Sequence, residues 1–127
     1  MNVMRLLLVE DNDDDAALVL RELERAGIRP ISTRVQTEAT LRSALEIGGW
    51  DLVIADFGLP DFDGLTALAM VRRTDPDLPF LLVSGSIGED LAVAAMRAGA
   101  NDYLMKGNLT RLVPTINREL RETHSRR

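Results

Sequence analysis

The sequence contains no cysteine and a single histidine. The missing cysteines exclude disulfide bonds and thiolate metal ligands, and they fit a reducing compartment. The one histidine, His124, lies among polar residues near the C-terminal end. We therefore expect it on the surface and not in a catalytic or metal site.

Long apolar runs and basic runs are also missing. No stretch approaches the roughly 20 apolar residues that a helix needs to cross a bilayer, and residues 1–5 lack the features of a signal peptide. The net charge of −5 and the lack of an internal basic run argue against a nucleic-acid partner. The sequence predicts a soluble, cytoplasmic protein, and its 127 residues suit one domain, residues 1–127.

Short apolar runs alternate with amphipathic segments along the chain. Runs 6–9, 52–55 and 80–83 show no polar alternation, which is typical of strands buried on both faces. Stretch 31–35 alternates and stretch 102–105 is short, so both suit the edges of a sheet. The pattern predicts an α/β fold with a doubly wound, five-stranded parallel sheet of order 2-1-3-4-5 and helices on both faces, as in flavodoxin-like folds.

Apolar residues at helical spacing predict the helices. In the first helix, Asn12 or Asp13 is the expected N-cap, and the acidic first turn suits the helix dipole. Asp15 is assigned to the outer face of this helix. In the fourth helix, the residues expected to face inwards are Leu91, Ala94, Ala95 and Ala98.

A carboxylate follows the central run 52–55 directly. This residue is Asp56, and the loop after it carries Gly58, Pro60 and Gly64, which exclude a continuing strand or helix. In open α/β sheets, the carboxyl ends of the strands form the edge where ligands bind. Further residues expected at this edge are Glu10 and Asp11 after the first strand, Ser84 after the fourth and Lys106 after the fifth.

Each of these residues alone has an ordinary structural explanation, such as capping a helix, forming a turn or lying in solvent. Their convergence favours a site. Three carboxylates at one edge repel one another, and protonation or a cation must neutralise them. Because only oxygen ligands are present, the cation would be hard, and Mg²⁺ suits partial ligation by protein.

Together these residues suit phosphoryl transfer to a carboxylate, because an aspartate can form an acyl phosphate while a lysine and Mg²⁺ neutralise phosphoryl oxygens. Four stretches carry a family resemblance: LLLVED, DLVIADFGLPDFDG, FLLVSGS and DYLMKG, in this order. With them, the chain resembles a response-regulator receiver domain of two-component signalling. The likeness covers nearly all 127 residues.

The resemblance implies the ligands and the reacting residue. Asp56 is the expected phosphoacceptor, which takes a phosphoryl group from the phosphohistidine of a histidine kinase or phosphotransfer protein, or from a small phosphodonor. Glu10 and Asp11 are the expected acidic pair of the Mg²⁺ site, together with Asp56 and the backbone carbonyl of Gly58.

The resemblance also implies how the signal leaves the site. Lys106 and Ser84 are expected to assist the chemistry, and Ser84 and Tyr103 to act as the switch. The face of the fourth helix, fifth strand and fifth helix would then change and control a separate downstream protein, with a homodimer left open. Such a chain is not an enzyme for an outside substrate, although it assists its own phosphotransfer and dephosphorylation.

Two positions depart from the family pattern. Gly107 stands where receivers often carry proline, and Gly58 where they often carry a longer side chain, which changes the access of hydrolytic water.

Three other functions compete with this interpretation. An aspartate-based phosphatase usually has a second aspartate at the position of Gly58. A receiver that only binds partners would not need the complete acidic set, and a flavin site would need a phosphate-binding loop after the first strand, where the chain is acidic.

Overall fold

Strands without a polar face need cover on both sides, and helices on both faces of one sheet provide it. We describe this fold from a computed structural model of residues 2–58, 63–85 and 88–126, apart from the side chains of residues 2, 3 and 126. The elements in chain order are β1 (Asn2–Val9), α1 (Asp13–Arg25), β2 (Ile28–Val35), α2 (Glu38–Ile47), β3 (Leu52–Ala55), α3 (Gly64–Thr74), β4 (Phe80–Ser84), α4 (Glu89–Arg97), β5 (Asp102–Met105) and α5 (Leu112–Arg126).

The five strands form one parallel sheet in the order β2-β1-β3-β4-β5, which confirms the predicted topology. The central strand β3 pairs with β1 and β4. The edge strands β2 and β5 pair with β1 and β4. Because all the strands run in the same direction, their carboxyl ends meet at one edge of the sheet.

Alternate residues of each strand enter two separate cores, because successive side chains of a strand point to opposite faces. Leu7 of β1 belongs to the core covered by α2, α3 and α4. Its neighbour Leu6 belongs to the core covered by α1 and α5. The same division runs through β3 and β4, which explains why these strands have no polar side.

No helix in the described ranges is both long enough and apolar enough to cross a membrane. His124 is exposed on α5, as predicted from its polar neighbours.

The edge strand β2 is longer than predicted. It begins at Ile28, and each of its eight residues pairs with a residue of β1. Ile31 was expected on the buried side, yet its side chain is 59% exposed. Backbone pairing, and not burial, therefore determines the extent of this strand, and Pro30 is tolerated because it lies at the edge of the sheet.

The inward face predicted for α4 is wrong in part. Ala92 and Ala95 are the buried residues of this helix, whereas Leu91 is 40% exposed and Ala98 also lies in solvent. After the acidic Glu89 and Asp90, residues 91–96 of α4 are all apolar, so hydrophobic periodicity does not select one face of the helix. The small side chains face the sheet, and the larger ones, Leu91, Val93 and Met96, lie on the surface.

A polar network holds the opposite end of the sheet together. The Asn101 side chain accepts hydrogen bonds from the backbone N–H of Phe80 (2.8 Å) and from Arg72 (2.9 Å). It also donates to the buried carboxylate of Glu119 (2.7 Å). Arg72 donates to the carbonyl of Gly99 as well, at 3.0 and 2.8 Å. One asparagine thus joins α3, the start of β4, the segment before β5 and α5.

We expect Asn101→Ala to lower the free energy of unfolding by about 2–4 kcal/mol, because a backbone donor and a buried carboxylate lose their partner. Urea unfolding followed by circular dichroism measures the change. The matched control is Asn117→Ala on the exposed side of α5, which should stay within about 0.5 kcal/mol of the wild type. Equal stability of the two variants would show that the network contributes little.

Candidate functional site

The backbone after β3 brings Asp56 into the sheet edge. The Asp56 N–H donates to the carbonyl of Val9 at 2.9 Å, which extends the β1–β3 ladder by one residue. The Asp56 side chain accepts from the N–H of Gly58 at 3.4 Å, and the residue is only 8% exposed. Residues 59–62 of the following loop, Pro60 among them, lie outside the described residues.

Gly64 allows α3 to begin directly beneath this loop. A Cβ at Gly64 would lie 2.8 Å from the Leu82 side chain and 3.0 Å from the Cα of Phe57. The Gly64 N–H donates to the carbonyl of Phe57 at 3.0 Å. The sequence predicted this glycine only as a breaker of regular structure, whereas the structure adds close packing under Asp56.

Glu10 lies at the end of the neighbouring strand β1. Its N–H donates to the carbonyl of Val35 at 3.1 Å, and its side chain accepts from the N–H of Asn12 at 3.2 Å. Asn12 is also the N-cap of α1, as predicted. Burial raises the pKa of the Glu10 carboxyl above its ordinary value, and the bonds from Asn12 and Lys106 offset this only in part.

Glu10, Asp11 and Asp56 form an acidic cluster. One carboxylate oxygen of each lies within 4.8 Å of the others, with Asp11 on the solvent side. All of these donors are oxygens, and such a set suits a hard cation. These three predicted metal ligands therefore lie close enough together to share one ion.

Lys106 brings the positive charge to this cluster. Its backbone N–H donates to the carbonyl of Ser84 at 2.9 Å, which places it at the end of β4 and β5. Its ammonium nitrogen lies 3.1 Å from a Glu10 oxygen and 3.2 Å from an Asp56 oxygen. Burial lowers the pKa of Lys106, but the hydrogen bonds that its ammonium donates to Asp15 and Glu10 outweigh this effect, and the net pKa is raised. The lysine therefore stays charged at neutral pH.

Asp15 is a site residue that the sequence analysis missed. Its carboxylate lies 2.7 Å from the Lys106 ammonium, closer than those of Glu10 and Asp56. It was assigned to the outer face of the first helix, yet its side chain is only 34% exposed. A signal was available, since Asp15 lies four residues before the buried Val19 and so extends the inner side of α1 towards the sheet edge.

Ser84 and Tyr103, the two expected switch residues, lie in different surroundings. Ser84 is the last residue of β4, is 5% exposed, and contacts the Lys106 backbone. Tyr103 on β5 is half-buried against the core on the α4 side. It lines a surface groove of about 400 Å³ with residues of α4, which include Val93 and Met96. The structure thus brings Ser84 to the site and directs Tyr103 to the surface of α4.

Comparisons with known proteins assign the chain to a family. Residues 6–117 match the family model of the response regulator receiver domain. The chain therefore belongs to the response regulator receiver domain family, which is a family of signalling domains.

Individual relatives support the assignment. The transcriptional regulatory protein PrrA of Mycobacterium tuberculosis is 35% identical over 102 residues, which cover 80% of this chain and 43% of PrrA. The regulatory protein LuxO of Vibrio cholerae is 34% identical over 119 residues, which cover 91% of this chain and 25% of LuxO. The chain thus spans less than half the length of these relatives.

Solved structures with the same fold include receiver domains. A putative response regulator from Chloroflexus aurantiacus has a TM-score of 0.82 at 29% identity, over 94% of this chain and 98% of its own. The beryllofluoride-activated receiver domain of NtrC4, described as a dimer, has a TM-score of 0.80 at 25% identity over the same shares.

The buried Glu10 makes the stability of the protein without metal depend on pH. Its pKa is raised above the ordinary 4.5, so the unfolded chain loses this proton first as the pH rises. The ionised carboxylate therefore lowers the free energy of unfolding above pH 4.5. We expect Glu10→Gln to be more stable than the wild type at pH 7 in EDTA, with a gain that shrinks as the pH falls.

Urea unfolding between about pH 4 and pH 8 checks this dependence. The control is Glu24→Gln, which removes an exposed carboxylate of α1 and should show no comparable gain. A Glu10→Gln variant that is less stable at pH 7 would mean that its contacts with Lys106 and Asn12 outweigh the cost of burial.

Proposed function

We propose that this receiver domain is a signalling switch in which Asp56 accepts a phosphoryl group from the phosphohistidine of a histidine kinase or phosphotransfer protein, or from a small phosphodonor. The observation that carries the proposal is the position of the Asp56 carboxylate. It lies within the acidic cluster, 3.2 Å from the Lys106 ammonium, at the end of the central strand.

In the proposed reaction, a lone pair of an Asp56 carboxylate oxygen forms a bond to phosphorus. The P–N bond of the phosphohistidine breaks, and its electron pair stays on the imidazole nitrogen. With a small donor such as acetyl phosphate, a P–O bond breaks and acetate leaves with the electron pair. The product is an acyl phosphate on Asp56.

Lys106 supplies positive charge where the phosphoryl oxygens arrive. Its ammonium is already charged and already in contact with Asp56, the group that would react. The residue should matter more for the chemistry and for switching than for keeping the fold.

The acidic cluster supports a role for Mg²⁺. Glu10, Asp11, Asp56 and the backbone carbonyl of Gly58 are the groups that would hold it. When bound, Mg²⁺ supplies the charge that offsets the repulsion between these carboxylates and an incoming phosphoryl group. The all-oxygen donor set fits this ion.

We further propose that Ser84 and Tyr103 carry the change to the face of α4, β5 and α5. A phosphoryl group adds negative charge and strong acceptor oxygens. The Ser84 hydroxyl lies at the end of the adjacent strand and would turn to donate to one of these oxygens. The Tyr103 ring borders a groove beside α4, so it has space to change its position.

The proposed partners are those that could bind the face of α4, β5 and α5. A downstream protein is the expected target, because α4 presents the apolar side chains Leu91, Val93 and Met96 at its surface. A second copy of the chain is the other candidate, since the activated NtrC4 receiver is described as a dimer.

The chain would catalyse only its own phosphorylation and dephosphorylation. The competing function, an aspartate-based phosphatase, usually requires a second carboxylic acid two residues after the nucleophile. Gly58 occupies that position and has no side chain to move a proton.

Incubation with acetyl phosphate and Mg²⁺ tests the assignment of Asp56. The wild type should gain the mass of one phosphoryl group, and peptide mapping should locate it at Asp56. The label should be lost at alkaline pH and should not form in EDTA, because the carboxylates then lack the cation that neutralises them. Asp56→Asn should fold and fail to label.

The control for this experiment is Asp63→Asn. Asp63 is the exposed N-cap of α3, just beyond the same loop, and asparagine also serves as an N-cap. This variant should label like the wild type. Labelling of Asp56→Asn at the wild-type rate would assign the phosphoacceptor to another residue.

Ser84→Ala tests the path of the signal. This variant should still accept a phosphoryl group, yet respond weakly at α4 and β5, because the hydroxyl that bonds the phosphoryl oxygen is missing. Amide NMR spectra with and without beryllofluoride, a phosphoryl mimic, measure the response. Shifts around Tyr103 as large as those of the wild type would show that the Ser84 hydroxyl does not carry the signal.

A further inference from the structure

Each of the three N–H groups of the Lys106 ammonium has a carboxylate within reach in this structure. A lysine ammonium carries three N–H groups, and three carboxylates lie within hydrogen-bond or ion-pair distance of it. These are Asp15 at 2.7 Å, Glu10 at 3.1 Å and Asp56 at 3.2 Å. A phosphoryl oxygen on Asp56 can therefore receive a Lys106 N–H only if one of the present contacts breaks.

The three carboxylates differ in how readily they release the lysine. Glu10 is buried, and its other oxygen already accepts from the backbone of Asn12. Asp56 loses its carboxylate charge when the acyl phosphate forms, and the phosphoryl group then competes with Glu10 and Asp15 for Lys106. Asp15 is the most exposed of the three, at 34% against 4% and 10%, so water can replace the lysine at its carboxylate.

We infer that Asp15 is a positioning residue that holds Lys106 in the unphosphorylated protein and competes with the phosphoryl group for its ammonium. This inference rests on the proposed phosphorylation of Asp56. Asp15 does not touch the phosphoryl group. It acts through the lysine, and it sets how tightly the site retains a phosphoryl group or a mimic of one.

Asp15 weakens the binding of a phosphoryl group or its mimic in two ways. Its carboxylate occupies a donor of Lys106, and its negative charge opposes the arrival of a dianionic group. In Asp15→Asn the negative charge is gone and the competing hydrogen bond is weaker, because an amide oxygen is a neutral acceptor. The backbone contact of residue 15 with the Asn12 cap stays in place, because it uses the N–H of the main chain.

The experiment is a beryllofluoride titration at saturating Mg²⁺, followed by amide NMR. Asp15→Asn should bind beryllofluoride about threefold to tenfold more tightly than the wild type, the range expected for one part-exposed charged contact. Asp15→Glu, which restores the carboxylate, should move the affinity back towards the wild type.

The chain offers a matched control in Asp14→Asn. Asp14 is the exposed neighbour in the same first turn of α1, and its substitution changes the net charge by the same amount. It should change the affinity for beryllofluoride much less than Asp15→Asn does. At about 0.5 M salt the small effect of Asp14→Asn should vanish, because salt screens the interaction of this exposed charge with the site.

The side-chain ¹⁵N signal of Lys106 provides a readout that a purely structural role would not move. In the absence of beryllofluoride, this signal should shift in Asp15→Asn and keep its wild-type position in Asp14→Asn. On saturation with beryllofluoride, the signals of the wild type and of Asp15→Asn should converge, because Lys106 has then left residue 15 in both proteins.

The outcomes separate this inference from the proposed function. A wild type that neither labels at Asp56 nor binds beryllofluoride overturns both. If the wild type binds, equal affinities of Asp15→Asn and Asp14→Asn overturn only the role of Asp15, because general charge then explains the effect. Weaker binding by Asp15→Asn also overturns it, since Asp15 would then support Lys106 and not compete for it.

Discussion

One ammonium group balances an excess of negative charge at the carboxyl edge of the sheet. Lys106 contacts three carboxylates, and two of them, Glu10 and Asp56, are buried. Repulsion between these groups would be severe without the lysine, so the geometry of the site depends on it. The same dependence makes the site responsive, because a group that neutralises or replaces any one carboxylate changes the partners of the lysine.

The two ends of the sheet differ in how their polar and charged groups are paired. At the amino ends of β4 and β5, Asn101 uses both its oxygen and its amide nitrogen, and the partners of Glu119 include Asn101 and Arg118. At the carboxyl ends, like charges are held close together and buried. The paired polar groups at one end anchor the sheet, while the excess of negative charge at the other end favours the binding of a cation.

The continuous apolar runs were enough to predict the parallel sheet, its strand order and the convergence of Glu10, Asp11, Asp56 and Lys106, because parallel strands place their ends together. Helix faces were harder to predict. Along residues 91–95 every residue is apolar, so hydrophobic periodicity could not select the buried alanines. Long-range polar contacts, such as Arg72 with Asn101, leave no local pattern in the sequence.

The alanine-only anchor of α4 has a consequence for the motions of the protein. Two buried methyl groups contribute on the order of 1–2 kcal/mol of apolar burial, whereas α3 buries Leu68, Met70 and Val71. Detaching α4 from the sheet therefore costs far less than detaching α3. Its amide hydrogens should exchange through local openings well below the global free energy of unfolding. Because little free energy holds α4 against the sheet, a perturbation that leaves the other helices in place is enough to shift the position of α4.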